Sequence, residues 1–113
     1  MPKAKVDARW AVQTRKGVLE LCILNALARR ERYGYELVQV LSALPGVGIT
    51  EGTLYPLLSR LWTEGLVKIR PQESSAGPIR KYYGLTPNGR AVLAPMNAYL
   101  RELFRACRAL GRK

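Results

Sequence analysis

Apolar positions along the chain fall into two periodicities, and their order predicts an architecture. Residues 17–30, GVLELCILNALARR, are apolar nearly all round, interrupted only by Glu20 and Asn25. A helix of that kind must be covered on two sides. In so short a chain, one side is expected to meet the domain core and another a second subunit. After a break at Glu31 and Arg32, Tyr33, Leu37, Val40, Leu41 and Leu44 form one stripe of a second helix over 33–44, ended by Pro45 and Gly46. Ile49 then reads as a short strand-like lead-in. Thr50 can cap a third helix with its hydroxyl, and Glu51 sits at the end where the helix dipole favours negative charge. Within that helix Leu54, Leu57, Leu58 and Leu61 recur at helical spacing and belong to a core.

Beyond Gly65, a natural helix stop, the period changes to two. Val67 and Ile69 alternate with Lys68 and Arg70 as in a half-buried strand. The stretch PQESSAGP (71–78) has turn and loop chemistry, and a second alternating run, IRKYYGL, occupies 79–85. Alternation turns one ring of Tyr82 and Tyr83 into the core. Thr86 followed by Pro87 starts a long helix, cap then fixed-φ first residue, that extends to about Leu110. Its seam is Leu93, Met96, Leu100, Leu103, Cys107 and Leu110, spaced by three and four. Dimerisation is the economical use for it; the competing arrangement is an intramolecular brace over the first helix. Pro95 is expected to bend the helix.

The predicted class is therefore mainly α with a small β-hairpin: a winged helix-turn-helix domain plus a long C-terminal dimerisation helix. Three segments follow. Residues 1–16 form a basic N-terminal arm or short helix, capped by Asp7 and edged by Val6, Trp10 and Val12; this segment is either a docked extension or a frayed end. Residues 17–86 form the winged DNA-binding domain, and residues 87–113 the dimerisation helix and basic tail.

Charge adds a partner. Among 113 residues, 19 Lys and Arg face 8 acids, a formal charge of +11, which favours a polyanion such as nucleic acid. The cations cluster as Lys3, Lys5, Arg9, Arg15 and Lys16; as Lys68, Arg70, Arg80, Lys81 and Arg90; and as Arg101, Arg105, Arg108, Arg112 and Lys113. There is no histidine, which excludes imidazole acid–base chemistry and histidine metal ligation. Cys22 and Cys107 lie far apart in helical pattern and resemble neither a zinc knuckle nor a redox pair. No metal, cofactor or enzymatic constellation is expected. With no apolar run long enough for a membrane span, the expected location is the cytoplasm, associated with the nucleoid.

The outer face of the third helix carries Gly52, Pro56, Ser59 and Thr63, flanked by Tyr55 and Arg60. Such a low face can lie close against something large and polar. With the start at Thr50, Pro56 leaves the Gly52 carbonyl without its helical partner; with a start at Thr53, Pro56 falls in the tolerated first turn. The sequence leaves both open.

YGYEL at 33–37, ITEGTLYPLLSRL at 49–61, EGLV at 64–67 and GPIRKYYGLTPNGR at 77–90 together resemble the PadR family of bacterial transcriptional regulators, in its short subclass. The resemblance spans roughly residues 17–105. It implies a dimeric winged-helix repressor of double-stranded DNA, with the TLYP helix in the major groove, the RKYY hairpin as wing and the C-terminal helix as dimer element. It also implies release from DNA by a small, frequently aromatic, effector. Gly84 departs from the pattern, since the family frequently has Arg after the paired tyrosines.

On that docking, the candidate DNA-binding residues are Lys16, Tyr35, Thr50, Gly52, Thr53, Tyr55, Ser59, Arg60, Arg80 and Lys81. Gly52 and Ser59 permit close approach, Arg60 alone on the helix can make a bidentate guanine contact, and Arg80 or Lys81 suits a narrow minor groove. A candidate effector pocket would gather Trp10, Met96, Tyr99 and Phe104 at the dimer seam. The competing functional classes are a winged-helix protein-interaction adaptor without sequence-specific DNA binding and, less favoured, an RNA-binding winged helix.

Overall fold

The computed structural model describes residues 6–44, 48–74 and 77–112; Lys3, Lys5, Pro45, Gly46 and Lys113, which carry basic or turn expectations, lie outside them. The elements are α1 (Ala8–Arg29), β1 (Arg32–Tyr33), α2 (Gly34–Ser42), α3 (Glu51–Thr63), β2 (Val67–Ser74), β3 (Gly77–Leu85) and α4 (Pro87–Ala109).

Asp7 starts α1 as its side chain allows, its Oδ1 accepting from the amides of Arg9 at 2.8 Å and Trp10 at 3.2 Å. The helix then runs unbroken for 22 residues. The backbone therefore has no boundary at Gly17, where the sequence suggested one. A glycine in a helix interior costs only about 1 kcal/mol against alanine. That is too little to stop a helix whose next turns bury Leu19, Ile23, Leu24 and Leu27 in the core. The two polar interruptions of α1 are both answered by other helices. Glu20 forms an ion pair with Arg60 of α3, and Asn25 exchanges reciprocal side-chain hydrogen bonds of 3.0 Å with Asn97 of α4.

Helix α2 is shorter than its apolar stripe suggests. It starts at Gly34, with Tyr33 as cap residue, and ends at Ser42. Leu37 and Leu41 are buried, but Leu44 lies beyond the helix and is exposed, so it does not join the core. Ile49 is buried without being a strand. Its carbonyl accepts from Ser42 Oγ at 3.4 Å, which ties the end of α2 to the entry of α3.

Leu54, Leu58 and Leu61 of α3 are buried and Leu57 packs beside them, as the spacing requires. The helix starts immediately after Thr50, which settles the position of Pro56 inside the helix. The Thr50 hydroxyl makes no bond to a helix amide; it faces the Thr53 hydroxyl at 3.4 Å. Glycine ends α3 by geometry. Gly65 has φ +78°, its amide donates to the Trp62 carbonyl at 3.0 Å, and the Leu66 amide reaches back to Leu61 at 2.9 Å. This pair of bonds is a Schellman motif.

The sheet is antiparallel in the order β1-β3-β2. The strands extend further into PQESSAGP than its turn chemistry suggested, because Pro71 and Gln72 pair with Lys81 and Arg80. Proline is tolerated there because β2 is an edge strand. The register turns Tyr83 inward, where it is buried, and leaves Tyr82 half-exposed on the other face. The two-residue strand β1 takes Arg32 from the expected break and Tyr33 from the expected start of the second helix, and it pairs Arg32 with Tyr83 and Tyr33 with Tyr82.

Helix α4 begins as Thr86 and Pro87 dictate, with Thr86 Oγ1 accepting from the Gly89 amide at 2.9 Å. It continues through Pro95 to Ala109 and lies antiparallel to α1: Arg90 Nη1 donates to the Ala28 carbonyl at 3.3 Å near one end, and Leu103 approaches Thr14 across a shared groove near the other. Its seam splits into two fates. Leu93 and Met96 pack on the core, whereas Leu103, Cys107 and Leu110 are exposed. The molecule is accordingly long, 60 × 33 × 21 Å with a radius of gyration of 16.5 Å, against about 13 Å for a compact domain of this size.

Candidate nucleic-acid interface

The outer face of α3 is uncovered: Gly52, Pro56, Ser59 and Thr63 are all exposed. Because proline has no amide hydrogen, the Gly52 carbonyl lacks its partner in the helix ladder and remains an acceptor on that face. The Tyr55 phenol leans over Gly34 at the start of α2. A Cβ at Gly34 would overlap the phenol oxygen, so glycine is what lets the two helices meet through this ring. Burial pushes the Tyr55 phenol above its ordinary value and nearby Glu51 adds to the effect, so the group stays a neutral hydrogen-bond donor.

Two hollows flank α3. On the wing side, Tyr33, Gly34, Tyr35, Tyr55, Arg80, Lys81 and Tyr83 enclose a 360 Å³ cleft. On the other side, Arg15, Lys16 and Thr53 line a 140 Å³ hollow with Gly48 and Ile49. Six of the ten candidate residues thus fall into two cation-bearing groups: Tyr35, Tyr55, Arg80 and Lys81 in one, Lys16 and Thr53 in the other. Thr50 and Gly52 lie at the helix start between them. Ser59 and Arg60 line neither hollow, and the Arg60 guanidinium is held by Glu20, which it must leave to reach a base edge. Tyr33 and Arg15 were not singled out from the sequence. Tyr33 opens the YGYEL motif, but its place in the apolar stripe of the second helix reads as core, and Arg15 reads only as part of a charge run.

The loop entering α2 is fixed by one carboxylate. Glu36 accepts from Arg30 Nη2 at 2.7 Å and from the Tyr33 amide at 3.2 Å. The Arg30 hydrogen bond, foremost, holds the Glu36 carboxyl below its usual range against the opposing effect of burial. A carboxyl lowered in the folded state contributes stability above its unfolded value, about 4.3, and loses it as pH falls through the folded value. Glu36→Gln is therefore expected to be less stable than the parent at pH 7, by about 1 kcal/mol or less for a pair this exposed. The two urea midpoints should converge well below pH 4, and a gap that persists there would show that charge is not the cause.

For the candidate effector pocket, the structure brings Met96, Tyr99 and Phe104 together with Val18 and Leu21 of α1 around a 600 Å³ apolar groove. Trp10 does not line it and is 61% exposed on the first turn of α1.

Three helices, an antiparallel hairpin and a long closing helix, with an open third helix between two basic hollows, define a winged helix-turn-helix protein. The chain belongs to the transcriptional regulator PadR-like family, whose model matches residues 23–95. It is 39% identical over 90 residues to the transcriptional regulator Rv3488 of Mycobacterium tuberculosis, a match covering 80% of this chain and 82% of that one. A PadR-like transcriptional regulator from Bacillus cereus superimposes with a TM-score of 0.77 at 38% identity, covering 87% of this chain and 95% of that one. Bacillus subtilis PadR in complex with operator DNA superimposes with a TM-score of 0.64 at 27% identity, over 70% of this chain and 46% of that longer one. No helix among the described residues is long and apolar enough to cross a membrane.

Proposed function

We propose that this transcriptional regulator binds a pseudo-palindromic operator as a homodimer, with α3 in the major groove, and acts as a repressor released by a small aromatic effector. The observation that carries the reading is the uncovered face of α3 between two cation-bearing hollows. Major-groove docking uses the low surface at Gly52 and Ser59, and the hollows supply phosphate partners on both sides. The resemblance to a PadR protein solved on operator DNA supports the same placement. The exposed half of the α4 seam supports the dimer, since Leu103, Cys107 and Leu110 have no cover among the described residues. The groove between α1 and α4 suits an aromatic effector by its apolar lining. DNA association on the cytoplasmic nucleoid follows from this reading.

The test is titration onto the duplex upstream of the chain's own gene, at several salt concentrations. A preference of about a thousandfold over random duplex is expected, and less than about tenfold would overturn the reading. Weak, unselective binding together with a stable protein complex would favour the adaptor reading instead. Arg80→Ala is expected to weaken binding and to reduce the slope of log K against log salt by about one. An unchanged slope removes Arg80 from the phosphate contacts.

A further inference from the structure

Two rows of side chains cross the sheet, and the outward one is continuous. The register sets Tyr33 of β1 opposite Tyr82 of β3, and Tyr82 opposite Arg70 of β2. Tyr33 and Tyr82 meet edge to face with centroids 5.8 Å apart. The Arg70 guanidinium lies over the Tyr82 ring at 5.0 Å. Arg80 stands two residues before Tyr82 on the same strand, hence on the same face, and its guanidinium lies over the Tyr33 ring at 4.9 Å.

The cations on this face differ in what answers their charge. Glu31 receives both Arg70, at 2.8 Å, and Lys68, at 3.9 Å. Its side chain occupies the place that a Cβ on Gly84 would crowd. One carboxylate thereby engages both cations at the root of the hairpin and offsets part of their charge. Arg80, nearer the tip, makes no ion pair among the described residues and is held over the face of the Tyr33 ring. A cation–π contact orients a guanidinium while leaving its charge available to an anion.

We propose that Tyr33 is a positioning residue for Arg80, holding an unneutralised guanidinium at the wing for a DNA phosphate or the minor groove, while Glu31 withdraws Arg70 and Lys68 from that role. The inference rests on the DNA-binding reading above. Pre-ordering one long side chain spares part of the cost of immobilising it on binding. Tyr33→Leu should therefore weaken operator binding about two- to fivefold, the range of an exposed cation–π contact. The salt slope should stay unchanged because the charge itself remains.

The closing experiment measures operator affinity and salt slope for Tyr33→Leu, Tyr33→Phe, Arg80→Ala, the double variant Tyr33→Leu/Arg80→Ala, and Glu31→Gln. Thermal unfolding is followed in parallel, with the Arg80 Hε resonance recorded for the free protein. Tyr33→Phe is expected to bind like the parent, and Tyr33→Leu to add nothing once Arg80 is alanine. The Arg80 Hε resonance should lose its ring-current shift in Tyr33→Leu but not in Tyr33→Phe. Glu31→Gln should steepen the salt slope by freeing Arg70 and Lys68. A Tyr33→Leu loss that persists in the double variant, a Tyr33→Phe variant as weak as Tyr33→Leu, or a Glu31→Gln slope equal to the parent's overturns the assignment of roles while leaving the regulator reading intact. If the unaltered protein shows no preference for its upstream duplex, the regulator reading itself falls, and this inference with it.

Discussion

Gly89→Ala is expected to destabilise the protein by about 3 kcal/mol, the upper part of the usual range for overpacking. In an ordinary helix interior the same change would be stabilising by about 1 kcal/mol, since alanine is the better helix former. Here sterics outweigh propensity. Gly89 is buried in the first turn of α4, and a Cβ there would overlap the backbone carbonyl oxygen of Leu66, which cannot rotate away as a side-chain end could. The same carbonyl accepts from the Thr86 amide at 3.1 Å. Displacing it therefore disturbs the start of α4 and the end of α3 together. In urea unfolding the midpoint should fall substantially, and a thermal midpoint lowered by on the order of 10 °C should accompany it. An unchanged or raised midpoint would mean that the joint has room the close packing denies.

Leu103→Arg carries the other large effect. Leu103 is exposed, lines the groove between α1 and α4, and stands where the seam leaves the core of its own chain. In the proposed dimer, the arginine would place a charge in an apolar contact without a partner, a change that costs several kcal/mol when the charge is buried. Sedimentation is expected to show a monomer, and operator affinity should drop steeply because two half-sites are no longer engaged by one particle. The fold should survive, since the side chain is outside the core cluster. A dimer of parental mass would move the interface elsewhere and leave the groove as an open cleft of the monomer.

Much of this architecture was written in local chemistry. Asp7, Thr86 and Pro87 act within three residues of themselves, and the leucine spacing of α3 needs only the helical repeat, so both could be read from the sequence. The alternation that buries Tyr83 and exposes Tyr82 is equally local. What escaped detection depends on partners distant in the chain. Strand β1 has two residues and exists because β3 lies beside it. The β2 edge extends through Pro71 because no further strand needs its amide. Glu20 looked like an interruption of an apolar helix, yet Arg60, 40 positions later, is its counterpart. The candidate interface shows the same division. Its residue types were legible, but their sorting into two hollows, and the removal of Arg60 from both, follow only from packing.

The joint between α3 and α4 has a mechanical consequence. The Leu66 carbonyl accepts from the Thr86 amide and lies against Gly89, and Thr86 Oγ1 donates to the Gly65 carbonyl at 2.6 Å, so the start of α4 is tied directly to the backbone that ends α3. Helix α4 is thus a lever of about 35 Å, at 1.5 Å per residue, fastened to the end of α3. In the proposed dimer, a turn of about 5° at the far end of each lever shifts its reading helix by roughly 3 Å. Half-sites on one face of DNA lie about 34–36 Å apart. A wedge between the levers would therefore not have to touch the reading surface at all: it would change the gauge of the pair until it no longer fits the track.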